Sequence, residues 1–567
     1  MLALVILSTL FTWLLCASVC IGTGSLILRC FGFVFFALDA FWTGVAIIVA
    51  ILQLYHFFRP IDSVAAFLLA MLAFAGLLWN GTSLLQQFVD SRNTQLLGVL
   101  FYIPALVIIA FRAAGPCEHY DTGLYGAQAI RWFITYPLLP GLGNVIAQIG
   151  FNSSVFLSMA ALDHGPWRGL IHHLFVPFLI AAFFASIIPA GVRVFRGRNI
   201  SPVDWFFTLL FVPAAIWAST GKIVGANTDL PTSIVCLMAA AMLFRALDKS
   251  SGDAADETRR MSLVLAMLLF SLAVTFKISS LVFASLGWSL AWLKLWPLNG
   301  DALKRKWLLN GAVLLSAVIV LPWIARGLTL SGYPFFPSTA LSIPVDWRVP
   351  ATETQVQAEI ARSFARIPQI PIADTRGWDW IRPWLRELVR EREGFLIPLS
   401  LAFIGGIVVI SRMSPLRQHA LPQWLWLLVP ALAGLIFWFF EAPAIRFGEP
   451  VIWTAGATLG TLAGLRLLNT PAWARIAIAG LLLITGWAAH PRLLWGSHFR
   501  PSAGVQTFLP LPQAQLERRQ TNSSLEIYVP LQTNQCWDAP LPCSPYFKDT
   551  LRLRQPGNLK RGFTSKR

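Results

Sequence analysis

Charge is the scarcest feature of this chain. Asp, Glu, Lys and Arg together make up 13% of its 567 residues, about half of the roughly 25% found in soluble proteins. That shortage excludes a soluble enzyme of this length, and the apolar content excludes a disordered chain held open by its own charge. Acidic residues are scarcer than basic ones, 27 Asp and Glu against 44 Lys and Arg, which leaves a formal net charge of +17. The cations are scattered between apolar runs and form no contiguous basic face, so nucleic acid is not an expected partner. The sequence carries no internal repeat and no low-complexity tract. Its first apolar run lacks the basic flank of a secretory signal and is followed by others, so it is expected to remain as a membrane helix with its N-terminus outward. Cysteines number only seven. Cys16, Cys20, Cys30 and Cys236 sit in apolar runs, where a thiol behaves as a small hydrophobe, while Cys117, Cys536 and Cys543 sit in polar segments.

What the chain has in abundance is apolar surface: 56% hydrophobic residues, 24 Trp and 41 Phe, with a mean hydropathy of +0.64. These values describe an integral membrane protein solvated by lipid, with aromatic rings settling at both interfaces. About fourteen runs are long enough to cross a bilayer. Four end near Cys20, His56, Phe88 and Ala113; six begin near Leu170, Trp205, Pro231, Met261, Ser280 and Trp307; four more begin near Phe395, Leu421, Val451 and Ala474. The expected fold class is an all-α polytopic membrane protein. Alternating the runs gathers about seventeen cations on one side and about five in the short loops opposite, so the rich side is cytoplasmic by the positive-inside rule. The five are Arg59, Arg112, Lys222, Lys277 and Arg446. The expected organisation is membrane helices over 1–114, an outer loop with an amphipathic helix over 115–168, membrane helices over 169–328, a second outer segment over 329–394, membrane helices over 395–488 and a small outer domain over 489–567.

Chemistry is expected on that outer face, where the polar residues collect. In the segment 115–154, Asp121 precedes Thr122 and Gly123 and is placed to cap a helix starting near Leu124. Gln128, Arg131 and Thr135 then share one face of that helix by i, i+3, i+4 spacing. A carboxylate at a membrane edge is also suited to act as a general base, since partial desolvation raises its proton affinity. Cys117, Glu118 and His119 stand beside Asp121, but no spaced ligand pair accompanies them, so no metal site is assigned; the nearby carboxylates leave room for a divalent cation. His172 and His173, at the edge of a run, are read as interfacial. Lys222, Lys277 and Arg446 sit at helix ends on the cation-poor side, where they either snorkel to headgroups or meet a phosphate anion. Asp229 either caps the helix beginning at Pro231 or joins them. The segment around Tyr333, Asp346 and Trp347 suits sugar binding, and an interfacial aromatic belt gives the same composition. Cys536 and Cys543 enclose a short loop that an oxidising outer compartment would let close as a disulfide.

The blocks YDTGLYGAQAIRW (120–132), PGLGN with GFNSS (140–154), SGYPFFPST with PVDWRVP (331–350), PAIRFG (443–448) and QCWDAPLPC (535–543) resemble a family of multi-pass bacterial membrane proteins. That family is in turn similar to the GT-C superfamily of membrane glycosyltransferases. The resemblance implies a GT-C-like bundle of membrane helices in the bacterial cytoplasmic (inner) membrane, with the active site facing the periplasm. It implies a sugar donor on a polyprenyl phosphate or diphosphate, a glycan or lipid acceptor of the cell envelope, and no redox cofactor. Carried onto this chain, Asp121 becomes the catalytic base, and Lys222, Lys277 and Arg446 become the cations for the donor phosphate. Tyr120, Tyr125, Gln128, Arg131, Asn152, Asp229, Tyr333, Asp346 and Trp347, polar and aromatic residues of the outer segments, are the candidate substrate contacts. The chain departs from the pattern where Gly126 replaces a frequent His and where Ala444 and Ile445 replace an acidic-Pro pair. Two other readings share the same features: a transporter or flippase of lipid-linked saccharides, and an envelope polysaccharide polymerase or ligase.

Overall fold

The computed structural model describes residues 2–90, 92–197, 200–249, 256–296, 302–368, 377–412, 421–467, isolated positions between 472 and 481, and 508–565. Lipid offers a backbone no hydrogen-bond partners, so long apolar runs satisfy their own N–H and C=O groups as helices. The first four are α1 (Leu2–Cys30), α2 (Ala37–His56), α3 (Ser63–Asp90) and α4 (Arg92–Ala113). Two short helices follow, α5 (Ala127–Thr135) and α6 (Val155–Leu162), and then α7 (Phe175–Arg196), α8 (Pro202–Leu209), α9 (Phe211–Ser219), α10 (Asp229–Leu247), α11 (Asp256–Phe276), α12 (Leu281–Leu295) and α13 (Ala302–Ser331). The segment after them forms α14 (Ala351–Arg366) and α15 (Ile381–Arg390), and the last bundle helices are α16 (Ile397–Arg412), α17 (Leu428–Glu441) and α18 (Ile445–Leu467).

Among the described residues, eleven helices are long and apolar enough to cross a membrane. They correspond to the first ten expected runs and to the one near Leu421. The runs near Phe395 and Val451 also fold as helices, α16 and α18, but are not among these eleven. The run near Ala474 falls largely outside the described residues. The first run does not stop near Cys20. It continues to Cys30 because Gly22 and Gly24 serve helix packing there: a Cβ on Gly24 would lie 1.8 Å from the carbonyl oxygen of Ala40 in α2, and one on Gly22 would lie 2.3 Å from that of Ala73 in α3. Small residues let backbones approach where lipid supplies no hydrophobic drive between helices.

Burial ranks the helices. The apolar stretches of α10 and α11 are 94% and 89% buried, against 17% for α1, so α10 and α11 form the centre of the bundle. The residues at one end of this central pair, Asp229 at the start of α10 and Lys277 just after α11, are thereby fixed by the best-packed part of the protein.

The described tail, 508–565, is the part with strands. An antiparallel hairpin pairs β1 (Leu516–Gln520) with β2 (Glu526–Pro530), from Leu516 opposite Pro530 to Gln520 opposite Glu526. A second, shorter pair joins β3 (Arg552–Leu553) to β4 (Phe563–Thr564). Cys536 and Cys543 form a disulfide. The tail is held against the bundle by ion pairs of Asp538 with Arg131, Arg554 with Asp346 and Lys548 with Glu353, and by the hydroxyl of Ser544, which donates to the Val145 carbonyl at 2.8 Å. The expected amphipathic helix is α5, nine residues long. Its Gln128–Arg131 face is covered by the tail and is therefore not a free polar surface.

Candidate active site

The chain approaches the site through Glu118–Asp121 and then makes one π-helical turn, Thr122–Gly126, which leads into α5. Asp121 already has helical backbone angles (φ −66°, ψ −21°), and its side chain makes no capping bond. A capping side chain needs an extended backbone to fold back onto the next amides, so the expected cap is not formed and the carboxylate is not committed to the helix end. Its Oδ2 stands 3.9 Å from the Arg446 guanidinium. The neighbouring Thr122 hydroxyl accepts from the Ala226 amide at 2.9 Å and lies 3.2 Å from His119 Nδ1, which ties the turn to the loop before α10.

Asp229 is likewise released from capping. Asn227 takes that role, its Oδ1 accepting from the Leu230 amide at 3.1 Å. Asp229 instead pairs through Oδ1 with the ammonium of Lys277, and its Oδ2 lies 3.8 Å from Arg446 Nε. Arg446 thus stands between two carboxylates, at distances longer than a hydrogen bond to either. Phe447 supports both cations, with its ring centroid 4.1 Å from Lys277 Nζ and 4.8 Å from the Arg446 guanidinium; Phe364 lies 5.7 Å from the latter. Lys222 completes the set, and among the described residues no carboxylate lies within ion-pair range of it.

These groups line a cavity of about 1850 Å³. Asp229 is 12% exposed, Asp121 25% and Arg446 32%, so the charges grade from a buried pair to groups that reach the open space. The cavity also takes in Tyr120, Tyr125, His119, Glu449 and Trp217. Trp217 Nε1 donates to Glu449 Oε2 at 2.8 Å. Burial pushes the His119 imidazole below its ordinary pKa, and the nearby charges of Asp121 and Asp229 oppose that shift. Among the described residues, no group of three or more His, Cys, Asp or Glu side chains is arranged to hold a metal ion.

Six of the sequence-selected residues lie elsewhere. Gln128 is buried and donates its amide to the carbonyls of Trp537 and Ala539 at 3.1 and 2.9 Å; Arg131 binds Asp538. Asn152, at a left-handed φ of 57°, exchanges bonds with Trp323, donating to its carbonyl at 2.6 Å and accepting from its indole at 2.8 Å. The Tyr333 hydroxyl donates to the Val349 carbonyl at 3.0 Å. Asp346 pairs with Arg554, whose guanidinium stacks 4.6 Å above Trp347, and the Trp347 indole donates to the Leu328 carbonyl at 3.1 Å. These six hold the loops and the tail together, and none lines the cavity. In contrast, Glu449 and Trp217 reach the cavity without having been singled out in the sequence, and so does His119, which was weighed there only as a metal ligand and left unassigned. Glu449 had one available signal, its i, i+3 spacing from Arg446 on α18.

No curated protein and no solved structure gives a significant match to the chain. Residues 6–453 match a family described as a domain of unknown function, DUF8201. That region holds every charged cavity residue named above and stops before the tail. Because the match covers most of the chain, this protein belongs to the DUF8201 family.

Proposed function

We propose that this protein is a membrane glycosyltransferase that moves a sugar from a polyprenyl-phosphate-linked donor to an envelope glycan or lipid acceptor on the outer face of the bacterial inner membrane. The observation that carries the reading is the cavity in which Asp121 stands across from Arg446, with Lys222, Lys277 and Asp229 around them. A carboxylate spared from capping and a guanidinium spared from tight pairing are the two groups that an anionic leaving group and a hydroxyl nucleophile require. The GT-C resemblance supports the same assignment, and the cation distribution supports an outward-facing cavity.

In the reaction, the acceptor O–H gives its proton to Asp121 as its oxygen forms a bond to the anomeric carbon. The bond from that carbon to the phosphate oxygen breaks, and the phosphate leaves with the electron pair. Arg446 and Lys222 stabilise the departing charge by electrostatics already in place. Lys277 balances Asp229, which keeps Arg446 from being neutralised by a second carboxylate. Single displacement of this kind inverts the anomeric centre. Transfer from polyprenyl-phosphate sugars by the purified protein in lipid tests the reading. Vectorial movement of the donor across the bilayer with no transfer would favour the flippase alternative.

A further inference from the structure

Asp121 makes no capping bond, and its contact to Arg446 is 3.9 Å long, so its place in the cavity must be set by its backbone. That backbone is gripped from both sides by one short stretch of the tail. On one side, Gln535 Nε2 donates to the Tyr120 carbonyl at 3.0 Å. On the other, the Trp537 amide donates to the Gly123 carbonyl at 2.9 Å. The Trp537 ring lies so close to Gly123 that a Cβ there would sit 2.6 Å from its Cε2 atom, which accounts for glycine at that position. One turn further along, Gln128 returns two hydrogen bonds to the carbonyls of Trp537 and Ala539, and Arg131 pairs with Asp538 at 2.8 Å. The Cys536–Cys543 disulfide closes the loop that carries Trp537, Asp538 and Ala539.

We infer that this disulfide-closed loop, together with Gln535 just before it, is a positioning element for Asp121, with Trp537 and Gln535 as the two grips. The catalytic meaning of the placement rests on the glycosyl-transfer reading above; the grip itself does not. Trp537 itself is 9% exposed and packs onto the backbone turn, so it acts through Asp121. A shift of about 1 Å in a reacting group can cost on the order of 100-fold in rate, which sets the scale of the effect.

The test compares wild type, Trp537→Ala and Trp537→Phe in lipid nanodiscs, with hydrogen exchange read by mass spectrometry. Wild type is also measured after dithiothreitol, which reduces the Cys536–Cys543 bond to two thiols as its own dithiol closes to a cyclic disulfide. Trp537→Ala and reduction are expected to raise exchange in peptides covering 118–131 while those from α10 and α11 stay protected. Trp537→Ala is expected to lower kcat roughly 10- to 100-fold at an unchanged donor KM, and Trp537→Phe to restore most of it. Unchanged exchange over 118–131 in both treatments overturns the inference. So does a rise throughout the protein with a matching fall in thermal midpoint, which marks a merely structural role. If the local change occurs and wild type transfers no sugar from any donor, the grip on Asp121 stands and the glycosyl-transfer reading fails.

Discussion

Lys277→Met probes the electrostatics of the cavity without knowledge of the substrate. The substitution removes the ammonium that pairs with Asp229 and leaves the methionine side chain over Phe447, where the Lys277 Nζ lay 4.1 Å from the centroid. Asp229 is 12% exposed, and stranding one member of a buried pair costs about 3–5 kcal/mol. Arg446 remains 3.8 Å from the orphaned carboxylate. At an effective dielectric near 20 that attraction is about 4 kcal/mol, but Arg446 is about a third exposed and solvent screening reduces it to a minor fraction. A net loss of about 2–4 kcal/mol is therefore expected, read as a lowered midpoint in detergent-solubilised thermal unfolding. Adding Asp229→Asn removes the stranded charge, so the double variant should regain most of the loss, and the coupling is measured as a double-mutant cycle. A single variant as stable as wild type, or a double variant no better than the single, would contradict the pairing of these two residues at the base of the cavity.

Three other outcomes follow from the same geometry. On the proposed reading, Arg446→Ala would remove a charge-assisted contact to the donor phosphate of about 1.5–3 kcal/mol, so kcat/KM should fall roughly 10- to 100-fold, with a smaller fall for Arg446→Lys; steady-state kinetics decide. His119 has its pKa depressed by burial, so its unfolded form binds a proton at higher pH than its folded form. Its contribution to stability is therefore complete above about pH 6.5 and is lost as pH falls toward the depressed folded value. The thermal midpoint of wild type should drop more between pH 7 and pH 5 than that of His119→Gln. A membrane-impermeant maleimide added to intact cells should label Ser338→Cys, at the cavity, and spare Glu257→Cys, at the start of α11 on the cation-rich side, as the proposed topology requires.

The helices were legible because lipid solvation makes the length of an apolar run nearly sufficient to define an element. The end of α1 was not: the run was expected to end near Cys20, whereas the helix continues through Gly22 and Gly24, which pack against the backbones of α3 and α2. At the site, the four charged residues that meet were all singled out in the sequence: Lys277 and Arg446 because cations on the cation-poor side are conspicuous, Asp121 and Asp229 because they lie in polar outer segments just before helices. Their arrangement was not legible. The capping expected of Asp121 and Asp229 fails because Asp121 has a helical backbone and Asn227 caps α10. Gln128, Arg131, Asp346 and Trp347 were selected as substrate contacts from their polarity and aromaticity, but those properties serve equally to dock a tail more than 150 residues away in sequence. Local pattern carries no information about which distant segment will cover a polar face.

The most direct measurement is sugar transfer from a panel of labelled polyprenyl-phosphate sugars by the purified protein in lipid, with wild type and Asp121→Asn side by side. A general base contributes about 100- to 10,000-fold, so wild type should transfer from at least one donor, and Asp121→Asn should lose that activity by such a factor while retaining its fold and donor binding. Equal turnover by the two proteins would contradict the account.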